Sequence, residues 1–391
     1  QRARRFFFFV FVSCGMTVGI VGSGPAAAAV EAALADVDES VASLDPTDVG
    51  TTDPDVGTTD LAVVVGGVGE EVFTRVNDRA RETGTRWLAV ELGGIGGYPL
   101  VDAAVAGFDG GEPCYACLEG RVAANRDPEA DPIAAPADHT ARFAGAVAGR
   151  AAARFLVDGD AAAFGSVVEV DGPRRRLLPL PGCACAPTLE RTVPREHVDR
   201  GLDEALARAE LGLDDRVGVV QQVGEAESFP VPYYLARGSD TGGFSDATAS
   251  RDAAGVAAGW DEAFMKALGE AMERYCAGVY RTADLPTGAP GDLADVVPPS
   301  AFVCRGEPDA DAARAWVTGE NLATGGEVLL PAELVYYPPP ERDLRPAITT
   351  GLGLGNGGVG AVLSGLYEVI ERDATMLAWY STVDPLAVDV D

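Results

Sequence analysis

Histidine is almost missing from this 391-residue chain, which has only His139 and His197. A His-centred triad or a histidine-rich metal centre therefore has too few members to assemble, and both histidines sit in polar stretches that read as surface. Lysine is scarcer still: Lys266 stands alone and every other basic residue is arginine. The 30 basic residues face 60 Asp+Glu, for a formal net charge of −30. Such a surface repels nucleic acid and anionic bilayers, which excludes both as main partners. Long apolar runs are missing too. The longest candidate, FFFFVFV at residues 6–12, is too short to span a membrane.

What is present supports folded domains. Apolar residues make up 47% of the chain, which argues against disorder, and the length suits two or three domains. Acidic, arginine-rich and Ala/Gly-rich composition together resemble a halophile's solvated surface, which describes habitat more than function. Seven cysteines occur, four of them as two close pairs, Cys114 with Cys117 and Cys183 with Cys185. In a large chain without a convincing secretory signal, paired spacing reads as metal binding before disulfides. Cys276 and Cys304 have no close partner and are expected in the core. Residues 1–15 have a basic start, a short apolar run and Cys14, which could mimic a lipoprotein cysteine. Met16 then opens TVGIVGSG directly, so residues 1–15 are expected to be an extension outside the natural protein that adds nothing to the fold.

Residues 17–22 read as a strand, followed by the glycine turn Gly22-Ser23-Gly24-Pro25-Ala26-Ala27 and an Ala-rich helix. A second strand at residues 40–44, ending at Asp45, completes a dinucleotide-binding pattern of the GxGxxA type. A working nucleotide site and a degenerate fold that keeps only the shape both remain open. DVGTTD occurs twice within residues 48–60 and reads as solvated loop. Strands near 61–65 and 86–91 extend a parallel α/β reading to about residue 95. Residues 138–157 are expected to be helical. A hairpin of strands 167–170 and 177–180 about the Asp171-Gly172 turn should deliver Cys183 and Cys185 to Cys114 and Cys117. Four thiolates can close a tetrahedral structural zinc site, leaving no position for substrate.

The second half holds the more specific signal. Lys266, Glu270, Glu273 and Arg274 fall in a helix expected over residues 249–279, and Glu368, Glu371 and Arg372 in another. Both contain E-x-x-E-R, which puts two carboxylates and a guanidinium on one helical face. The flanking residues are apolar, so both helices are expected to be substantially buried. Internal Glu–Arg salt bridges are one reading. The other is a cleft of four carboxylates holding Mg²⁺ and a nucleotide's phosphates, with the arginines, and Lys266 on the same face, meeting phosphate charge. The glycine loop 349–360 before the second helix is able to approach a ligand closely, and it is not a Walker A motif.

The stretches DTGGFSDATASRDAAGVAAGWDEAFMKALGEAMERY and GLGLGNGGVGAVLSGLYEVIERDATMLAWYS resemble the YcaO family, for which paired ExxER helices are distinctive. VGIVGSG, PCYACLEGR and LPLPGCACAP resemble the E1-like domains that accompany YcaO proteins in thiazole/oxazole-modified peptide, or bacteriocin, biosynthesis. The resemblance covers nearly everything after Met16. It implies a Rossmann-like E1-type α/β domain with a structural zinc over residues 16–195, then an α/β YcaO-type domain over 196–391. It implies an enzyme that binds ATP and Mg²⁺ without a conventional phosphate loop and phosphorylates a backbone amide oxygen of a ribosomally made precursor peptide. A Cys, Ser or Thr side chain closes the azoline ring. Glu270, Glu273, Glu368 and Glu371 would be metal and nucleotide ligands, beside Arg274 and Arg372. Lys266 replaces a serine often found at its position.

Only about 190 residues follow the boundary, about half of a YcaO domain. The chain is therefore expected to be an inactive fragment lacking a later ATP-contacting segment. A leader-binding or dehydrogenase protein and a second copy of the chain are further candidate partners, and the cytoplasm the expected compartment. Two rival readings stay open: an NAD- or nucleotide-binding oxidoreductase using the Gly22–Ala27 turn and Asp45, and a non-catalytic scaffold that presents a peptide.

Overall fold

Near-continuous apolar runs such as LAVVVGG are what strands covered on both faces require. Seven strands form one sheet in sequence order: β1 (Phe7–Ser13), β2 (Met16–Gly22), β3 (Leu61–Gly67), β4 (Arg86–Leu92), β5 (Ala103–Phe108), β6 (Ser166–Glu169) and β7 (Arg174–Arg176). The computed structural model describes residues 7–13, 16–35, 37, 59–129, 131–186, 195–382 and 387, with backbone alone for 7–13. The expected strand at 40–44, Asp45, Cys14 and most of the duplicated loop lie outside the described residues.

The expected parallel sheet is only partly found. β2, β3 and β4 pair in parallel, whereas β5, β6 and β7 each add antiparallel. Residues 7–13, expected to stand outside the fold, pair antiparallel with β2 from Phe7↔Gly22 to Ser13↔Met16. Four helices cover the sheet: α1 (Pro25–Ala35), α2 (Val72–Thr83), α3 (Tyr115–Asn125) and α4 (Asp138–Asp158). α1 and α4 pack with Ile20, Val63 and Val105 on one face. α2 and α3 pack with Val64, Trp87 and Phe108 on the other, giving three layers. The hairpin is shifted from expectation. Its second strand is Arg174–Arg176, and residues 177–180 run on irregularly toward the cysteines. Asp171 turns it with φ 65°.

The chain divides into two units, the first holding Gln1–Leu189 with Asp214–Gly218 and the second holding the rest. Buried ion pairs explain why 214–218 returns to the first unit. Arg175, only 10% exposed, donates to Glu169 at 3.0 Å and to Asp214 at 2.7 Å, and Asn125 donates to the Gly218 carbonyl at 3.0 Å.

In the second unit, α5 (Leu202–Ala209) precedes a three-stranded antiparallel sheet, β8 (Val220–Glu227), β9 (Tyr233–Gly238) and β10 (Asp252–Val256). α6 (Trp260–Gly278) packs Ala267, Leu268 and Ala271 on Val220, Ala236 and Ala253 of that sheet. The helix expected from residue 249 begins only at Trp260, because 252–256 pair with β9. A second sheet joins β11 (Thr287–Gly288), β12 (Arg314–Glu320) and β13 (Glu327–Pro331), and α7 (Gly358–Tyr380) follows. Among the described residues, no helix is long and apolar enough to cross a membrane.

Candidate functional site

In the first unit the two cysteine pairs meet. Cys114 is the N-cap of α3 and Cys117 lies one turn inside it, so a CxxC at a helix start turns both thiols to one side. The four sulfurs all lie within 4.8 Å of one another. Cys114 to Cys183 is 3.6 Å and Cys117 to Cys185 is 3.3 Å. Sulfurs ~2.3 Å from a tetrahedral zinc stand about 3.8 Å apart, so this donor set fits that ion.

Neighbouring groups hold the cluster in place. The Leu180 N–H donates to Cys117 Sγ at 3.2 Å. Arg121, buried, donates from Nε to the Leu178 carbonyl at 3.4 Å, and Arg81 donates to the Ala184 carbonyl. These contacts fix the backbone on either side of Cys183. Hydrogen bonds from Cys114 and Cys117 hold the Cys183 thiol well below the usual thiol range. Asn77 accepts the Tyr115 N–H at 2.8 Å at the start of α3. The Tyr115 hydroxyl donates to Glu91 at 3.3 Å.

The glycine turn at α1 has a packing reason of its own. Gly22 has φ +121°, and a Cβ there would stand 2.4 Å from the Val65 carbonyl oxygen of β3. Close strand packing alone accounts for this glycine. His139 and His197 are exposed, as expected. Cys276 is exposed and Cys304 half-buried, which corrects their expected place in the core. Neither enters the cysteine cluster.

In the second unit α6 presents Glu270, Glu273 and Arg274 from a buried helix. Arg274 donates to Glu270 at 2.7 Å and stands 3.8 Å from Glu273. Its guanidinium lies over the Tyr337 ring at 5.8 Å. Glu270 also accepts the Ala254 N–H at 3.1 Å. Burial pushes the Glu273 carboxyl above its ordinary value; Arg274 opposes this, and the nearby charges of Glu368 and Glu270 add to it. Glu368 of α7 accepts the Gly351 N–H at 3.2 Å. Arg274 Nη1 and Thr350 Oγ1 are buried without a hydrogen-bond partner. Glu270 and Glu273 about Arg274, with its Nη1 left over, form a donor set that suits a hard cation and phosphate oxygens.

Other expected members are arranged differently. Glu371 and Arg372 are exposed on α7 and make no side-chain hydrogen bond or ion pair among the described residues. Lys266 Nζ donates to the Val256 carbonyl at 3.2 Å, so the end of β10 engages it. α7 was expected to be substantially buried, yet Gly365 is its one buried residue among those described. The glycine loop also differs from a free ligand-approaching loop. Cβ atoms at Gly353 and Gly355 would meet the α7 backbone, Ala361 O at 2.2 Å and Ala361 N at 2.4 Å respectively, so these glycines let the loop lie on its own helix. Thr350 and Tyr337 were not singled out from sequence. A threonine in a glycine loop carries a weak signal, and a tyrosine brought to Arg274 by tertiary folding carries none.

Residues 254–391 match a family described as YcaO cyclodehydratase, ATP- and Mg²⁺-binding. Over 128 residues the chain is 38% identical to an uncharacterized protein of Methanothermobacter thermautotrophicus, covering 32% of this chain and 33% of that one. A heterocyclase solved in complex with substrate and cofactor is similar at TM-score 0.64 with 20% identity, over 93% of this chain and 56% of the heterocyclase. The heterocyclase TruD is similar at TM-score 0.56 with 19% identity, over 94% of this chain and 55% of its own. The chain thus spans about half the length of these heterocyclases and a third of the archaeal relative. At such identities the structural similarity is one of fold. The chain has a mixed α/β fold similar to that of the heterocyclases, and its residues 254–391 match the YcaO family.

Proposed function

We propose that this chain is part of an ATP-dependent peptide cyclodehydratase of the YcaO type. The observation that carries the reading is the grouping of Glu270 and Glu273 about Arg274, at 2.7 and 3.8 Å, with a buried Arg274 Nη1 that lacks a hydrogen-bond partner. Glu270, Glu273, Glu368 and Glu371 would hold Mg²⁺ and nucleotide, with Arg274, Arg372 and Lys266 meeting phosphate charge. Bound Mg²⁺–ATP would supply the phosphoryl group that activates a backbone amide oxygen of a precursor peptide. Arg274 is held by Glu270 and Tyr337, so its remaining donor is oriented before any anion arrives. Glu270, tied to Ala254, positions Arg274. Glu273 and Glu368 would offer carboxylate oxygens to a cation.

In the first unit, Cys114, Cys117, Cys183 and Cys185 would hold a structural zinc in an E1-like domain. A leader-binding or dehydrogenase protein would complete the assembly, in the cytoplasm.

Binding of a non-hydrolysable ATP analogue, followed by calorimetry, tests the nucleotide site. Binding should require Mg²⁺ and be lost in Glu273→Gln and Glu371→Gln with the circular dichroism spectrum unchanged. Nucleotide binding that survives both substitutions would return the ExxER pairs to plain salt bridges. Binding of NAD in place of the ATP analogue would favour an oxidoreductase built on the Gly22–Ala27 turn.

A further inference from the structure

The first unit contains a cavity of about 380 Å³ whose wall gathers arginines in a chain that carries twice as many acids as bases. Arg150 and Arg154 come from successive turns of α4 and Arg174 from the start of β7. The floor is apolar, made by Leu88, Val105, Val147 and Val168. Asp160 is the one acid in the lining, and it is paired with Arg154 at 2.6 Å. Arg174 spends one donor on the Ala162 carbonyl at 2.8 Å. Arg150 makes no hydrogen bond or ion pair among the described residues. Like charges four residues apart on a helix repel, and Asp160 compensates only one of them. The cavity therefore has two uncompensated guanidinium groups over an apolar floor. Its volume falls in the range of small-molecule sites, roughly 300–1,000 Å³.

We propose that this cavity binds a small organic carboxylate, with the carboxylate on the arginines and an aliphatic body on the floor. Planar guanidinium forks match a carboxylate's two oxygens. Inorganic phosphate fits less well. Phosphate sites rely on free backbone N–H groups, whereas the Ala162 N–H here is already spent on Asp160 Oδ1 at 3.0 Å, and Ala162 O and Ala163 O accept from Arg174 and Ser166. The floor would also be left bare beneath a phosphate. This site is separate from the ExxER residues, so its test is independent of the proposed function.

Ligand-observed NMR on the full chain decides the matter, with hexanoate, hexanol and inorganic phosphate as probes. Hexanoate should bind, and more tightly than the other two. Arg150→Ala, an exposed substitution to the best helix former, should preserve the fold and weaken hexanoate about tenfold. Arg150→Lys should fall between the two. Absence of hexanoate binding, or binding that ignores Arg150→Ala, would overturn the proposal. Equal binding of hexanol would reduce the cavity to an apolar hole, and tighter binding of phosphate would reject the carboxylate assignment.

Discussion

Arg274 donates to Glu270 at 2.7 Å along α6, and Glu270 in turn accepts the Ala254 N–H of β10 at 3.1 Å. Glu270 thereby bridges helix and sheet. Glu273, three residues on, has no such bridge. It stands 3.8 Å from Arg274 and faces the charge of Glu368. Two glutamates of one motif thus carry different burdens.

Urea unfolding should separate them. Glu270→Ala removes the acceptor of a buried guanidinium and a strand amide, and should cost roughly 1–3 kcal/mol. Glu273→Gln should be neutral or stabilising at neutral pH. A carboxyl whose folded pKa is raised loses stability as pH rises from its unfolded pKa toward the folded one, and glutamine escapes that cost. A Glu273→Gln loss as large as that of Glu270→Ala would show Glu273 to be a structural ion-pair partner instead.

The cysteine cluster sets up a metal prediction. Metal analysis of the purified chain should give about one zinc, lost in the Cys114→Ser, Cys183→Ser double variant together with a lower melting temperature. A zinc-free chain that melts at the same temperature after chelation would remove the zinc assignment.

Glu91 offers a pH prediction. It is 2% exposed, and burial pushes its carboxyl up to about 7, against hydrogen bonds from Gly97, Gly96, Tyr115 and Gly69 that lower it. The unfolded chain releases this proton near pH 4.5, so stability should fall between about pH 4.5 and 7 and then level off. Glu91→Gln should flatten this window and gain roughly 1–3 kcal/mol at pH 8, with no gain below pH 4.5. Equal pH profiles for the two proteins would show that Glu91 is ionised in the folded state.

α7 carries a wide apolar face: Ile370 is 55% exposed, Leu377 65%, Trp379 78% and Tyr380 83%. Faces of this kind promote association. Sedimentation velocity should show concentration-dependent self-association of this chain, reduced by the pair Ile370→Glu and Leu377→Glu. A monomer at every concentration would argue that this face has no affinity for itself.

Local chemistry was legible in the sequence wherever spacing alone decides geometry. E-x-x-E-R aligns Glu270, Glu273 and Arg274 along one face, because helical periodicity is a property of the chain itself, whereas the CxxC spacing marks Cys114 and Cys117 as ligands but reads as a Gly/Pro-bounded loop, and only the structure puts them at the start of α3. Apolar runs such as LAVVVGG likewise announce strands buried on both faces. Tertiary structure alone decided what those faces meet. Glu270 finds Ala254 and Glu368 finds Gly351, through contacts 16 and 17 residues apart with no signature in spacing. Residues 252–256 became a strand where helix was expected, because β9 offered them a ladder. α6 and α7 carry the same motif with similar apolar flanks, yet α6 lies on a sheet and α7 is exposed. Periodicity says which side of a helix is apolar, while burial depends on whether another surface comes to cover it.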